Sequence, residues 1–265
     1  MLGFFFRHYD RLVQRYVVFD DGSTDNSLEI LRSNPKVELR PMPEYSDPES
    51  RIASATALQE SFWKESRGLA DWVIVTDIDE HLYHPQIEDY LVKCKENGVT
   101  IIPALGYQML SEEFPRQGCW LSTTLTMGAP FSLMNKMNIF SPNEIVATNF
   151  TLGRHTAAPR GNVVPPARDE LLLLHYKYLG FERTFRRHAL YCTRQRTKDL
   201  ASGWGVHYSW SREELQNEWN ETSAALVDIS QPDLRPWATH TGNRWWRHRS
   251  VSARLRNKLK RAFPK

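Results

Sequence analysis

A short apolar run that stops abruptly in acids constrains this chain more than any other feature. Trp72-Val73-Ile74-Val75-Thr76 is followed at once by Asp77-Ile78-Asp79-Glu80. The apolar, β-branched part reads as a strand buried on both faces. Open α/β sheets bind ligands at the carboxyl ends of such strands. Here that end carries three carboxylates within four residues. Alternate residues of an extended segment point the same way, so Asp77 and Asp79 are expected to converge on one object. Two carboxylates that close repel unless a cation lies between them. A solvated acidic turn is the plainer alternative for this stretch alone.

A second strand ends the same way. Tyr16-Val17-Val18-Phe19 runs into Asp20-Asp21-Gly22-Ser23-Thr24-Asp25, with a glycine for a tight turn and several candidate caps for a following helix. The hydrophobic stripe Leu2, Phe6, Tyr9, Val13 predicts a helix over 1–14. Further helices are expected over 52–67 and 86–96, with strands at 37–39, from 71 and over 99–105. That alternation argues for an α/β fold with a mostly parallel sheet and right-handed crossovers. The second half is broken by Pro115, Pro130 and Pro142. It still offers strands at 136–140 and in Leu171–Tyr176. Helices are expected over 181–196 and 211–226, the latter opened by a Ser211/Glu214 capping box.

The bulk composition excludes several classes. At 265 residues and 41% hydrophobic content the chain suits one α/β domain with a good core, or a domain plus a small appendage. Three dispersed cysteines, Cys94, Cys119 and Cys192, form neither a disulfide framework nor a structural zinc motif, which fits a reducing cytosol. No run reaches the roughly 18–20 apolar residues of a membrane span. The opening Met1–Phe6 lacks a small-residue cleavage site and reads poorly as a secretory signal. Charge is uneven. Nine of the 34 Lys and Arg lie between Arg244 and Lys265 with no acid among them, leaving 25 bases against 31 acids in the rest.

Dinucleotide, P-loop, zinc-protease and nucleophile-elbow motifs are absent. What remains is the pair of acidic strand ends, DDGSTD and DID. With RHYDRLVQRYVVFDDGSTDNS, ADWVIVTDIDEHLYHP and LLLLHYKYLG, the stretch from Arg7 to about Trp210 resembles a bacterial branch of the family 2 glycosyltransferases of the GT-A fold. The resemblance implies that Asp20, Asp21, Ser23 and Asp25 contact the nucleotide of a sugar donor. It also implies that Asp77 and Asp79 hold a divalent ion on the donor diphosphate, with His175, or else His155, completing the metal site. Carboxylates plus an imidazole suit Mn²⁺, with Mg²⁺ next, and such an ion would offset charge on a departing diphosphate. An inverting member needs a general base on the acceptor side. Glu112 and Glu113, past the strand at 99–105, are the first candidates, and Asp169 and Glu170 compete.

Against the family pattern, the chain starts where the first helix should lie. The resemblance therefore implies that the first strand and its Asn-Glu loop are lacking, through truncation or a start further upstream. Plainer roles stand beside each site reading. A histidine after four leucines suits a hydrogen-bonded core position. Lys136, Lys177 and Arg183 suit phosphate binding or an ordinary surface. Trp204, Tyr208 and Trp210 suit stacking on a sugar or packing.

Residues 1–240 are read as the catalytic domain, with a nucleotide-sugar half to about 105 and an acceptor half after it. In 241–265, Val251, Leu255, Leu259 and Phe263 recur every four residues among bases, with Trp245 and Trp246 as aromatic anchors. That pattern suits a helix lying on an anionic membrane surface, or a solvated basic tail. The expected protein is a cytoplasmic, metal-dependent glycosyltransferase, peripheral at the inner membrane face, acting in surface polysaccharide or glycolipid assembly on a glycan or lipid-linked acceptor. No nucleic acid is expected as a partner. The rivals are a catalytically degenerate sugar- or partner-binding module and a nucleotidyltransferase.

Overall fold

The computed structural model describes residues 1–240, 242 and 244–247. The chain folds as a mixed α/β structure. In order it forms α1 (Leu2–Tyr9), β1 (Tyr16–Asp20), α2 (Ser27–Ser33), β2 (Val37–Pro41), α3 (Arg51–Ser61), β3 (Val73–Ile74), β4 (Glu80–Tyr83) and α4 (Ile87–Glu96). Then come β5 (Ile101–Ser111), α5 (Leu121–Thr124), β6 (Met127–Pro130), β7 (Lys136–Phe140), β8 (Ile145–Ala147), β9 (Arg160–Gly161) and β10 (Leu172–Leu179). The chain continues through α6 (Phe181–Cys192), α7 (Thr197–Ala201), α8 (Arg212–Ala224), β11 (Val227–Asp228) and α9 (Pro236–Thr239). None of the described helices is long and apolar enough to cross a membrane.

The sheet departs from the mostly parallel expectation. Seven strands join in the order β11-β6-β5-β10-β4, with β7 beside β5 and β3 beside β7. Within this described sheet only β5 and β10 run parallel, and the other pairings are antiparallel. The parallel pair β1–β2 stands apart as its own small sheet. The departure has a local cause. β5 is long enough to change partner midway, pairing with β7 through Ile101–Ala104 and with β6 through Tyr107–Met109. Gly106 marks the change. A Cβ there would sit 2.4 Å from the Met134 Cβ, so only glycine lets the 132–134 turn cross the strand.

β5 and β10 form the buried spine. Ile101 to Leu110 are all buried, as are Leu171–Leu174. Leu173 faces one core cluster with α1 and α4, while Leu172, Leu174 and Tyr176 face another. α1 is amphipathic through Leu2, Phe5, Phe6 and Tyr9, which bury against the first cluster. It also serves the outer edge of β4 in place of a neighbouring strand. The Tyr9 hydroxyl donates to the Glu80 carbonyl at 3.0 Å and accepts from the Leu82 amide at 2.8 Å. His8 bonds the Leu82 carbonyl through Nε2 at 2.8 Å, and its ring stacks on His81 at 4.6 Å.

This histidine pair makes the fold acid-sensitive. Burial holds His8 down at about 4 and His81 well below the ordinary imidazole range. The unfolded chain takes up these protons near pH 6.5 and the folded chain does not. Their contribution is therefore complete above pH 6.5 and is lost as pH falls toward 4, by about 3 kcal/mol for His8 alone. Denaturant melts at pH 7, 5.5 and 4 should show a steadily falling midpoint. A His8→Asn chain should show a shallower fall, and an equally steep one would refute the assignment.

Candidate functional site

The site is built around the acids after β3, but not as alternating side chains of an extended strand. Only Val73 and Ile74 are strand, and residues 77–80 form a turn in which the Glu80 amide donates to the Asp77 carbonyl at 3.0 Å. The cause is Glu80, which is 1% exposed. Its carboxylate accepts from Lys136 Nζ at 2.6 Å, Arg154 Nη2 at 3.0 Å and Asn138 Nδ2 at 3.3 Å. A buried charge needs such partners, so the turn closes to bring Glu80 inward. Burial opposes ionisation, but Lys136 and Arg154 hold the carboxyl well below the usual carboxylate range.

Arg154 is itself 1% exposed and adopts a positive φ of 60°. It donates to the Val75 carbonyl at 2.7 Å and to Asp77 Oδ2 at 3.3 Å. Asp77 is thus committed to an arginine although 53% of its side chain is exposed. Asp79 sits at the corner of the turn, and its carbonyl accepts from the Tyr176 amide at 2.7 Å. Among the described residues its carboxylate makes no hydrogen bond or ion pair.

β10 supplies the facing wall. His175 and Lys177 lie two residues apart and share a strand face. A register shift against β5 between His175 and Tyr178 re-aims this stretch. Gln108 donates through Nε2 to the His175 and Met109 carbonyls at 3.0 and 3.2 Å, which leaves Oε1 as acceptor. His175 Nδ1 lies 2.8 Å from that Oε1 and must carry the proton, so Nε2 keeps its lone pair. Burial lowers this imidazole to about 4, while the nearby Asp79 charge works in the other direction. At neutral pH, His175 is therefore an uncharged donor beside Asp79.

The loop after β1 holds its acids in bonds of its own. Asp20 folds back to accept from the Gly22 amide at 3.1 Å and the Ser23 amide at 3.2 Å, and Asp25 accepts from the Ser27 amide at 3.0 Å. Asp21 accepts from Tyr45 and from Arg51 Nε, each at 2.6 Å. Tyr208 feels the charges of both regions. Burial, then Tyr191, Asp79 and Asp77, push its phenol up to about 12, while Arg51 acts in the opposite sense. Ser50 Oγ donates to Asp199 at 2.6 Å and Lys198 pairs with Asp47 at 2.6 Å, tying the loop after β2 to α7.

The other candidates fall elsewhere. Glu112 and Glu113 are exposed at the carboxyl end of β5, four residues past the level of His175, on the order of 13 Å along the strand. Glu112 accepts from Trp219 Nε1 at 3.2 Å. Asp169 lies at the opposite end of β10, 1% exposed, and accepts from Trp246 Nε1 at 2.8 Å and Arg247 Nε at 3.0 Å. That structural clamp removes it from the candidates for the base. Glu170 shares its end of the strand. His155 turns to the Leu133 carbonyl, 2.7 Å from its Nδ1.

Trp246 is 3% exposed in the core and the partly buried Trp245 donates to the Asn135 carbonyl at 3.2 Å, so neither is the membrane anchor expected of it; residues 248–265 of that pattern lie outside the described residues. Lys136, expected as a phosphate binder or surface base, is buried on Glu80. Glu80 has one sequence signal, its place at the end of an acidic run, and Arg154 has none, because only the fold brings it to that run. Among the described residues no three His, Cys, Asp or Glu side chains form a metal-sized cluster. His175 pairs with Glu80 across the β4–β10 ladder, which places it next to Asp79 along the chain, while Asp77 is drawn to Arg154.

No protein-family model matches the chain, and no curated protein matches it.

Proposed function

We propose that this protein is a metal-dependent, inverting glycosyltransferase of GT-A type, using a nucleotide-activated sugar. The observation that carries this reading is Asp79. Its uncommitted carboxylate lies next in register to a neutral His175 of defined tautomer, whose strand neighbour Tyr176 bonds the Asp79 carbonyl. Asp79 and His175 are the groups that would hold Mn²⁺ or Mg²⁺, and Asp77 would join them only by leaving Arg154. Such an ion, when bound, offsets the charge a diphosphate gathers as the sugar departs. Tyr45 and Arg51 would line the nucleotide side, with the Asp20–Asp25 loop ordered by its own carboxylates. Glu112 and Glu113 stand as the acceptor-side bases, with Glu113 the less committed of the two. A surface polysaccharide or glycolipid acceptor at the inner membrane face belongs to the same proposal.

One observation favours a second reading. Arg154 engages Asp77 and the loop folds Asp20 inward, as suits a degenerate module that binds a sugar or partner without turnover. Calorimetric titration of UDP and GDP, with and without Mn²⁺, tests the main reading, together with product analysis from UDP- and GDP-sugars. Metal-dependent binding with release of nucleoside diphosphate is the expected result. Release of pyrophosphate would instead mark a nucleotidyltransferase, and absence of nucleotide binding would leave the binding module in front.

A further inference from the structure

Between β10 and α6 lies a group of cations that make no ion pair among the described residues, with Asp79 acting on two of them only at longer range. Lys177 projects from the irregular part of β10, and the chain turns at Gly180 directly into α6. Arg183 and Arg187 lie one turn apart on that helix and so share a face. Among the described residues none of the three makes an ion pair. Lys177 donates to His207 Nε2 at 2.6 Å, a neutral partner. Arg183 lies over the Phe114 ring at 4.3 Å, and Arg187 donates to the Tyr191 hydroxyl. Glu182, the acid of that first turn, faces away and pairs with Arg212.

The three charges act on one another. Burial and then the Arg187 charge lower Arg183 to about 10. Lys177 Nζ lies 4.9 Å over the Tyr208 ring, that ring is 5.1 Å from Tyr191, and Arg187 lies 5.2 Å over Tyr191, so adjoining rings tie the strand cation to the helix cations. Three partly buried cations without an ion-pair partner among the described residues are an unfavourable arrangement that a bound polyanion relieves. The opening of α6 adds to it, because the helix begins without a side-chain cap and its first amides carry positive potential.

We propose that Lys177, Arg183 and Arg187 form a seat for a diphosphate, the diphosphate of the nucleotide donor. This rests on the transferase reading for the source of the anion, but not for the existence of the seat. Two phosphates match three cations better than one does, and an arginine can bind phosphate oxygens bidentately. The seat would orient the donor and take up charge from the protein side, whether or not an ion sits on Asp79 and His175.

The test is titration of the 265-residue chain with sodium pyrophosphate, inorganic phosphate, UDP and GDP in metal-free buffer containing chelator. Pyrophosphate should bind more tightly than phosphate. Lys177→Met, Arg183→Gln and Arg187→Gln should each weaken it roughly ten- to a hundredfold. Arg186→Gln, on the exposed side of the same helix, should leave it unchanged, and Lys177→Arg should restore most of it. Thermal melts separate lost binding from lost folding.

Equal binding of pyrophosphate to wild type and to folded variants would overturn the seat. UDP or GDP should displace pyrophosphate. If either binds alongside it, the seat serves a phosphorylated acceptor and the donor assignment falls. Pyrophosphate binding at the three residues without turnover of any nucleotide sugar would leave the seat standing and sink the transferase reading. Normal KM and kcat for a nucleotide sugar in the double variant Arg183→Gln, Arg187→Gln would do the reverse.

Discussion

Glu80→Gln is expected to unfold this protein at a temperature on the order of 10 °C lower than the parent chain. The change removes one negative charge from a site where Lys136 and Arg154 are both buried. Breaking a buried ion pair from one side costs about 3–5 kcal/mol, because the abandoned charge stays desolvated. In a chain of this length each kcal/mol moves the melting point by about 2–4 °C. Arg154 can still lean on Asp77, at 3.3 Å, but Lys136 has no second carboxylate in its contacts. The double variant Glu80→Gln, Lys136→Met should therefore melt above the single variant. Thermal denaturation of the three chains decides the matter. A single-variant shift of less than about 2 °C would mean that water reaches the cluster and the turn is not held from below. The pH dependence runs in the matching direction. The carboxyl is depressed, so its contribution is present above the unfolded glutamate value near 4.5 and is lost as pH falls below it.

Asp79→Asn is expected to behave in the opposite way, with the fold intact and donor chemistry gone. The carboxylate has no described partner, so its replacement should shift stability by no more than about 0.5 kcal/mol. Loss of one charge-stabilising group at a reacting centre costs on the order of a hundred- to a thousandfold in rate. Release of nucleoside diphosphate from UDP- and GDP-sugars in the presence of Mn²⁺ is the measurement. Asp77→Asn makes the informative comparison. Because Asp77 is bonded to Arg154, its loss should disturb melting more than Asp79→Asn does, and turnover less. If both variants lose turnover equally with unchanged melting, Asp77 leaves Arg154 during the reaction and the two acids act together. Full activity in Asp79→Asn would remove the site from this turn altogether.

Much of the local structure was legible in the residues. The Ser211/Glu214 pattern opens α8 with both capping bonds formed. Gly98 follows α4, the DDGSTD loop turns at Gly22, and the leucine run becomes β10 with His175 beside Asp79. These features are local, set by side-chain periodicity, capping chemistry and the backbone freedom of glycine.

What periodicity does not encode is which strand edge meets which. A buried apolar run such as Ile101–Leu110 looks alike in a parallel or an antiparallel sheet, and only assembly showed β5 exchanging β7 for β6 at Gly106. Nor could spacing reveal β4, because its outer edge is completed by Tyr9 and His8 from a helix more than seventy residues earlier. The sequence alone determined that acids and histidines would gather at strand ends. Tertiary structure divided their labour, because a charge taken out of water must find partners wherever the fold supplies them. Lys136 and Arg154, distant in sequence, drew Glu80 into the core and bound Asp77, and left Asp79 without a partner among the described residues.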